Sequence, residues 1–241
     1  WYASLSDFTV MRKGSVLAVA SAGLASAAIG QRVEPEELGG WKLHSEVTGL
    51  IDRVSETDEE ALDLIRQFLS YLPSHSQEPP PLAPVPAESA DAGQRIESLV
   101  PDSRRRVYDV RKVIRAVVDP DSFFEMKPSF GRTAVSGLAR LGGQTVGMIA
   151  NNPMVKAGAM DVAGCEKLTR FIVMCDSFNI PLILLVDTPG FVIGVEGERL
   201  KAPGKIMNLM TALQMATVPK LSIIMRKSYG QAYLNMGGGR N

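Results

Sequence analysis

An α/β fold with a layered sheet is what this sequence predicts, and three observations carry it. Strand-like and helical runs alternate from Tyr108 onward. One run, residues 180–187 (IPLILLVD), is almost wholly apolar up to its closing aspartate, as befits a strand covered on both faces. The order strand–strand–helix–strand–helix–strand is that of a sheet layered with helices.

The elements follow in order. Residues 1–72 read as a short αβ piece, with an apolar stretch at 15–21, a turn-rich segment at 37–40 and then a helix. Ser55 or Thr57 caps that helix, and Asp58, Glu59 and Glu60 in its first turn suit the positive end of the dipole. Ala61, Leu62, Ile65, Phe68, Leu69 and Leu72 recur at helical spacing, and Pro73 ends the run. The small-residue run 15–29 (SVLAVASAGLASAAI) is too short and too weakly apolar to span a bilayer, so buried core is the expectation. Residues 73–106 form a connector; proline density up to about Val100 excludes helix and ladder, so the stretch reads as an extended tether. A proline-rich docking ligand is the alternative reading of that stretch.

Residues 107–241 make the second piece. A helix is expected over 110–118, a strand over 123–126, and a hairpin turning at Leu141-Gly142-Gly143-Gln144. A helix over 161–178 buries Val162, Cys165, Leu168, Phe171, Ile172 and Cys175. After the apolar strand, a helix at 205–216 and a strand at 221–225 complete the order.

Composition narrows the function classes. The 241 residues carry 26 basic and 26 acidic side chains, so no whole-chain charge draws the protein to nucleic acid or a membrane surface. Cys165 and Cys175 fall within one expected helix, which is unsuited to a disulfide, and neither has the companions of a zinc site. A reduced, cytoplasmic compartment and no metal are expected. The chain opens without methionine, as a piece of a longer protein would.

Several stretches are candidates for chemistry. In NNPMVKAGAMDVAGCEKLTRF (151–171), Gly158 and Ala159 stand bare where a helix is expected to begin. Free N–H groups and the dipole at such a start hold an oxyanion; close packing of small residues is the other reading. Asp161 is placed to cap the helix that follows. LVDTPGF (185–191) has the Asp-x-x-Gly of nucleotide hydrolases, but no G-x-x-x-x-G-K-[ST] cradle accompanies it. Asp187 is therefore expected to take local backbone hydrogen bonds at a strand end. His75 lies in the connector and is expected to be solvated, while His44 has no nearby nucleophile or metal-ligand partner in the sequence. No G-x-S-x-G elbow occurs. At the end, Gly230 and Ala232 put small residues at a second strand-to-helix transition, which suggests a surface where N–H groups converge.

Taken together, ordered stretches across the chain resemble the carboxyltransferase (β) subunit of biotin-dependent acyl-CoA carboxylases, the propionyl-CoA and methylmalonyl-CoA group. They are SLSDFTVMRKGS, VEPEELGGWKLHSEVTG, EEALDLIRQFLSYLPS, the long segment from VPDSRRRVYDVRKVI to GMIANNP, AGAMDVAGCEKLTRFI, PLILLVDTPGFVIGVEGE and RKSYGQAY. The resemblance implies two crotonase-like domains of repeated strand–strand–helix turns, with residues 1–72 ending the first and 107–241 beginning the second. It implies transfer of CO2 from carboxybiotin to the α-carbon of an acyl-CoA thioester, or the reverse use of malonyl- or methylmalonyl-CoA. A non-catalytic scaffold of the same fold is the reading from outside enzymology.

By the same resemblance, the N–H groups of Gly158 and Ala159 hold the biotin ureido oxygen, Asp161 borders the acyl pocket, and Gly230, Gln231 and Ala232 line the biotin side. The partner acyl-CoA oxyanion pair is expected before Trp1. No A-M-K-M attachment sequence occurs, so biotin arrives on a partner, a biotin carboxylase or biotin carboxyl carrier subunit, and a homo-oligomer (a hexamer) is implied. The resemblance implies the cytoplasm as compartment, or the mitochondrial matrix in a eukaryote. The chain departs from the family at Asn152-Pro153, where N-Q-P is usual, at Gly230-Gln231-Ala232-Tyr233, where G-G-A-Y is usual, and in the terminal LNMGGGRN.

Overall fold

Residues 2–91 and 96–237 are described by a computed structural model, and the chain divides into two units. One comprises Trp1–Leu69 with Lys127–Phe130, the other Ser70–Met126 with Gly131–Asn241. The terminal GGRN of the departing stretch LNMGGGRN lies outside the described residues.

In the first unit, β1 (Val10–Arg12) and β2 (Arg53–Ser55) pair in parallel. The acidic helix spans Asp58–Leu69, and Thr57 is its cap, its Oγ1 accepting the Glu60 N–H at 3.1 Å. Its inward face is narrower than the apolar spacing suggested: Leu64 and Phe68 are buried, while Leu62, Ile65 and Leu69 are exposed. Phe68 stacks on Phe8 with centroids 4.3 Å apart. The helix stops before Pro73 is reached, and Tyr71 belongs to the second unit, where its hydroxyl donates to the Ser122 carbonyl at 2.6 Å. The expectation of buried core at residues 15–29 is corrected. Ala22–Ile29 is a helix with no buried residue, and Val19 is 93% exposed. Alanine, serine and glycine give that helix no apolar stripe to anchor it.

Buried polar contacts tie the segment Lys127–Phe130 into this unit. Lys127 Nζ lies 3.0 Å from Asp52 and donates to the Gly49 carbonyl at 2.6 Å. His44 sits in a π-turn, Leu43–Val47, its ring nitrogens 2.7 Å from the Leu17 carbonyl and 3.0 Å from Thr48 Oγ1. It packs as a buried, satisfied histidine. His75, by contrast, is half exposed beside Glu78.

The second unit is built on a five-stranded sheet in the order β3 (Phe124–Met126), β4 (Ala134–Leu141), β5 (Gln144–Asn151), β6 (Leu182–Thr188), β7 (Lys220–Ser228). β3, β4 and β5 are antiparallel, and β5, β6 and β7 run parallel. The hairpin turns where expected: Leu141 pairs Gln144, with Gly142 and Gly143 at φ +58° and +77°. Two positive φ values define the turn type whose twist matches a hairpin, and glycine supplies both without strain. The Asp119 carboxylate locks the turn, accepting from the Gly142 and Gly143 N–H groups at 3.0 and 2.7 Å.

Every residue of β6 is buried, as its apolar run predicted. The helix Val162–Ser177 crosses from β5 to β6 and buries Cys165, Leu168, Phe171, Ile172 and Cys175, with Val162 only half-buried. The helix Ala202–Met215 crosses from β6 to β7. It begins a turn earlier than expected because Pro203 occupies the first turn, where its missing N–H costs nothing.

The connector is less extended than its prolines suggested. Residues up to Pro86 carry neither helix nor strand, but Ala87–Asp91 is a 3-10 turn and Ile96–Leu99 a helical turn. Prolines cease at Pro86 until Pro101, so the block on helix lapses between them. Ile96, Leu99 and Val100 pack on the core of Val110, Val113, Ile114, Val135, Met148 and Leu185.

Candidate functional site

Parallel strands β5, β6 and β7 end side by side at Asn151, Thr188 and Ser228. Loops leaving the carboxyl ends of such strands are where α/β sheets bind ligands. The loop after β5 carries the first candidate pair. Residues Lys156–Gly158 form a single 3-10 turn of unusual hand, with φ of +49°, +55° and +87° at Lys156, Ala157 and Gly158. Two of the three have a Cβ, and each such left-handed residue costs about 1–2 kcal/mol. Strain of this kind persists only where the surroundings impose it.

The pair Gly158 and Ala159 does not stand on the helix start, which corrects the sequence-level picture. The helix begins at Val162, capped by Asp161, whose Oδ1 accepts the Gly164 N–H at 2.9 Å. The Gly158 and Ala159 N–H groups donate to the Val155 and Lys156 carbonyls, each at 3.0 Å. A ligand oxygen would meet them only as a second acceptor, in three-centre bonds of the kind common at helix termini. Gly158 is buried, and a Cβ there would lie within 3.0 Å of the Asp187 carbonyl oxygen. Its missing side chain is what lets the turn seat on β6, and Ala157 and Ala159 add little bulk beside it. The turn is thus small and tightly seated, with both N–H groups engaged inside it.

Asp161 does more than cap. Thr133 donates to its Oδ1 at 2.8 Å and Lys156 to its Oδ2 at 2.8 Å. Burial alone would raise its pKa; Lys156, the Gly164 N–H and Thr133 outweigh that and hold the carboxyl below the usual aspartate value. The two thiols of the same helix are inert. Burial, then the Asp161 and Glu166 carboxylates, push the Cys165 thiol up to about 12, and burial drives Cys175 well above its ordinary value.

Asp187, at the end of β6, departs most from expectation. Its N–H donates to Asn151 Oδ1 at 3.0 Å, but its carboxylate is not held by local backbone. It is 1% exposed and gathers charge from far along the chain. Arg226 Nε and the Tyr108 hydroxyl each donate to Oδ2 at 2.9 Å, and Lys227 Nζ lies 3.6 Å from Oδ1. A buried carboxylate needs such partners. Burial first, then the Asp187 charge, raise the Tyr108 phenol well above its ordinary value, so it stays protonated as a donor. Arg226 also donates to the Ser103 and Arg106 carbonyls at 2.8 and 2.9 Å, which fastens the end of the connector.

These contacts join the three loops. Lys227 reaches the Ala157 carbonyl at 2.9 Å, the Met160 N–H bonds to Gly190, and the Tyr229 N–H bonds to Thr188. Past Tyr229, Gly230–Met236 is a 3-10 helix with Ala232 buried and Gln231 exposed, the strand-to-helix transition the small residues suggested. The predicted segments at 158–161 and 230–232 are thus linked through the loop after Asp187. Sequence reasoning missed Tyr108, Arg226 and Lys227. The signal available was an aspartate closing a wholly apolar strand, where a buried charge demands a partner.

Among known protein families, the carboxyl transferase domain matches residues 1–241. This chain belongs to that family. It is 39% identical over 231 residues to the propionyl-CoA carboxylase carboxyltransferase subunit of Haloferax mediterranei, across 95% of this chain and 45% of that protein. It is 36% identical over 234 residues to the methylmalonyl-CoA decarboxylase subunit alpha of Veillonella parvula, across 97% of this chain and 46% of that one. A crystal structure of transcarboxylase 12S, a hexamer assembly with methylmalonyl-CoA and methylmalonic acid bound, matches with TM-score 0.92 at 34% identity. That match covers 97% of this chain and 45% of the transcarboxylase chain. This chain thus has the crotonase-like architecture of its relatives and spans less than half their length. Among the described residues no helix is long and apolar enough to cross a membrane.

Proposed function

We propose that this chain is part of the carboxyltransferase component of a biotin-dependent acyl-CoA carboxylase, moving a carboxyl group to the α-carbon of an acyl-CoA such as propionyl-CoA. The observation that carries this reading is the match to the carboxyl transferase family along the whole chain, with the strained small-residue turn at the strand ends. Biotin, borne on a biotin carboxylase or biotin carboxyl carrier partner, supplies the activated carboxyl group when bound. The role of this chain is to bind and orient. The Gly158 and Ala159 N–H groups receive the ureido oxygen, where negative charge grows as the carboxyl group leaves, and donors fixed in place favour that state. Gly230, Gln231 and Ala232 border the same side, and Asp161 borders the acyl pocket while capping its helix. A homo-hexamer in the cytoplasm, or the mitochondrial matrix of a eukaryote, suits this role.

A second reading is a decarboxylase or transcarboxylase component acting on malonyl- or methylmalonyl-CoA. The likeness to the Veillonella decarboxylase subunit and to transcarboxylase 12S favours it as the alternative. Radiolabelled bicarbonate, ATP, the biotin-bearing partner and a panel of acetyl-, propionyl- and butyryl-CoA test the first reading. Label fixed into an acyl-CoA is the expected result; no fixation with brisk release of CO2 from methylmalonyl-CoA selects the second. Ala159→Pro, which deletes one N–H, is expected to lower transfer by at least about tenfold with assembly intact. Unchanged turnover in that variant removes the pair from the mechanism, whereas detection of neither reaction in the parent leaves a scaffold.

A further inference from the structure

Lys227 is a buried lysine whose ammonium is used in a specific way. It is 7% exposed, its Nζ donates to the Ala157 carbonyl at 2.9 Å, and it lies 3.6 Å from Asp187 Oδ1. The other oxygen of Asp187 is already engaged by Arg226 and Tyr108, so Oδ1 faces Lys227 as its counter-charge. The carbonyl of Ala157 and the N–H of Gly158 belong to one peptide group. That group is planar and trans, so whatever holds its oxygen sets the plane of its N–H. A cationic donor on the oxygen also draws electron density from the nitrogen, and chained hydrogen bonds strengthen one another by about 10–30% per bond. The turn needs outside support as well, because Lys156 and Ala157 are left-handed at φ +49° and +55°.

We infer that Lys227 is a positioning residue for carboxyl transfer: seated by Asp187, it fixes and polarises the Ala157–Gly158 peptide whose N–H receives the ureido oxygen. This rests on the reading of Gly158 and Ala159 as the biotin site. The contact lies on the carbonyl side of the peptide, opposite its N–H, so Lys227 acts through the peptide and not on the oxygen that the N–H receives. Its loss therefore weakens the transition-state contact and leaves acyl-CoA binding alone.

The test uses the full-length assembled enzyme, with carboxyl transfer measured from methylmalonyl-CoA to free biotin and, with ATP, from bicarbonate through the partner subunit to propionyl-CoA. Lys227→Met keeps length and removes charge; it is expected to lower kcat by about tenfold or more, with KM for acyl-CoA within about twofold. Lys227→Arg keeps a cation and is expected to recover most of that loss, whereas Lys227→Gln, a neutral donor, recovers little. A part played only in folding predicts instead a fall in active fraction with kcat per folded enzyme unchanged, and that result overturns the inference. If Lys227→Met does not assemble, the comparison of Arg with Gln decides: equal kcat in the two overturns it. Ala159→Pro runs in parallel. Parental turnover there removes the biotin-site reading and this inference together, while a loss there with parental kcat in Lys227→Met removes only the role of Lys227.

Discussion

Gly158→Ala tests whether the turn is seated on β6 as tightly as its geometry indicates. The new Cβ would fall within 3.0 Å of the Asp187 carbonyl oxygen, nearer than real Cβ atoms approach. That oxygen cannot yield easily. Its residue sits in a wholly buried strand, with its N–H bonded to Asn151 and its carboxylate bonded to Arg226 and Tyr108. Overpacking of this kind costs about 1–3 kcal/mol, and an alanine at φ +87° adds about 1–2 kcal/mol. Lower entropy of the unfolded chain returns about 0.4–1 kcal/mol. The net expectation is about 1.5–4 kcal/mol of lost stability, or about tenfold to a thousandfold in the opening equilibrium. Cys165 and Cys175 report it well, since both thiols are fully buried in the helix that follows the turn. Labelling by a disulfide reagent in moderate urea should accelerate by that factor. Gly142→Ala is the control, because it has φ +58° but no atom within 4 Å of its would-be Cβ, so it carries the backbone cost alone. If Gly158→Ala labels less than about threefold faster than the parent, or no faster than Gly142→Ala, the packing argument fails.

The loss of its helix cap should cost Asp161→Ala about 0.5–2 kcal/mol in urea unfolding. Because the native carboxyl is held below its ordinary value, that difference is fully present above the unfolded pKa near about 4. It shrinks as pH falls through the lower folded value, and a gap that persists into strong acid refutes the charge-based part. Asp161→Ile should shift the relative kcat/KM among acetyl-, propionyl- and butyryl-CoA; ratios constant within about twofold leave the cap and remove the specificity role. Gln231→Gly should change the apparent affinity for the biotin carrier, and unaltered kinetics with both free biotin and the carrier mark that loop as structural.

Much of the second unit was legible locally. Gly142-Gly143 between two alternating runs specifies a hairpin because glycine alone takes two positive φ values freely, and Asp161 three residues before Gly164 specifies a cap. The continuous apolar run of β6 announced burial on both faces. The seat of Gly158 and Ala159 was misread, because the left-handed turn falls on Lys156 and Ala157, residues whose chemistry does not signal it. Residues 15–29 were misread for a related reason: apolar composition states what a segment tolerates, and only packing states what covers it. The Asp187 cluster lay beyond any local rule. Tyr108 and Arg226 are 79 and 39 residues away, and they converge only because the parallel register brings the ends of β6 and β7 together beneath the segment before the helix Val110–Val117. Periodicity, caps and turns are settled among neighbours by backbone sterics and hydrogen bonding. Which buried charge meets which, and which peptide a lysine can grip, is decided by strand register, through contacts that exist only in the folded sheet.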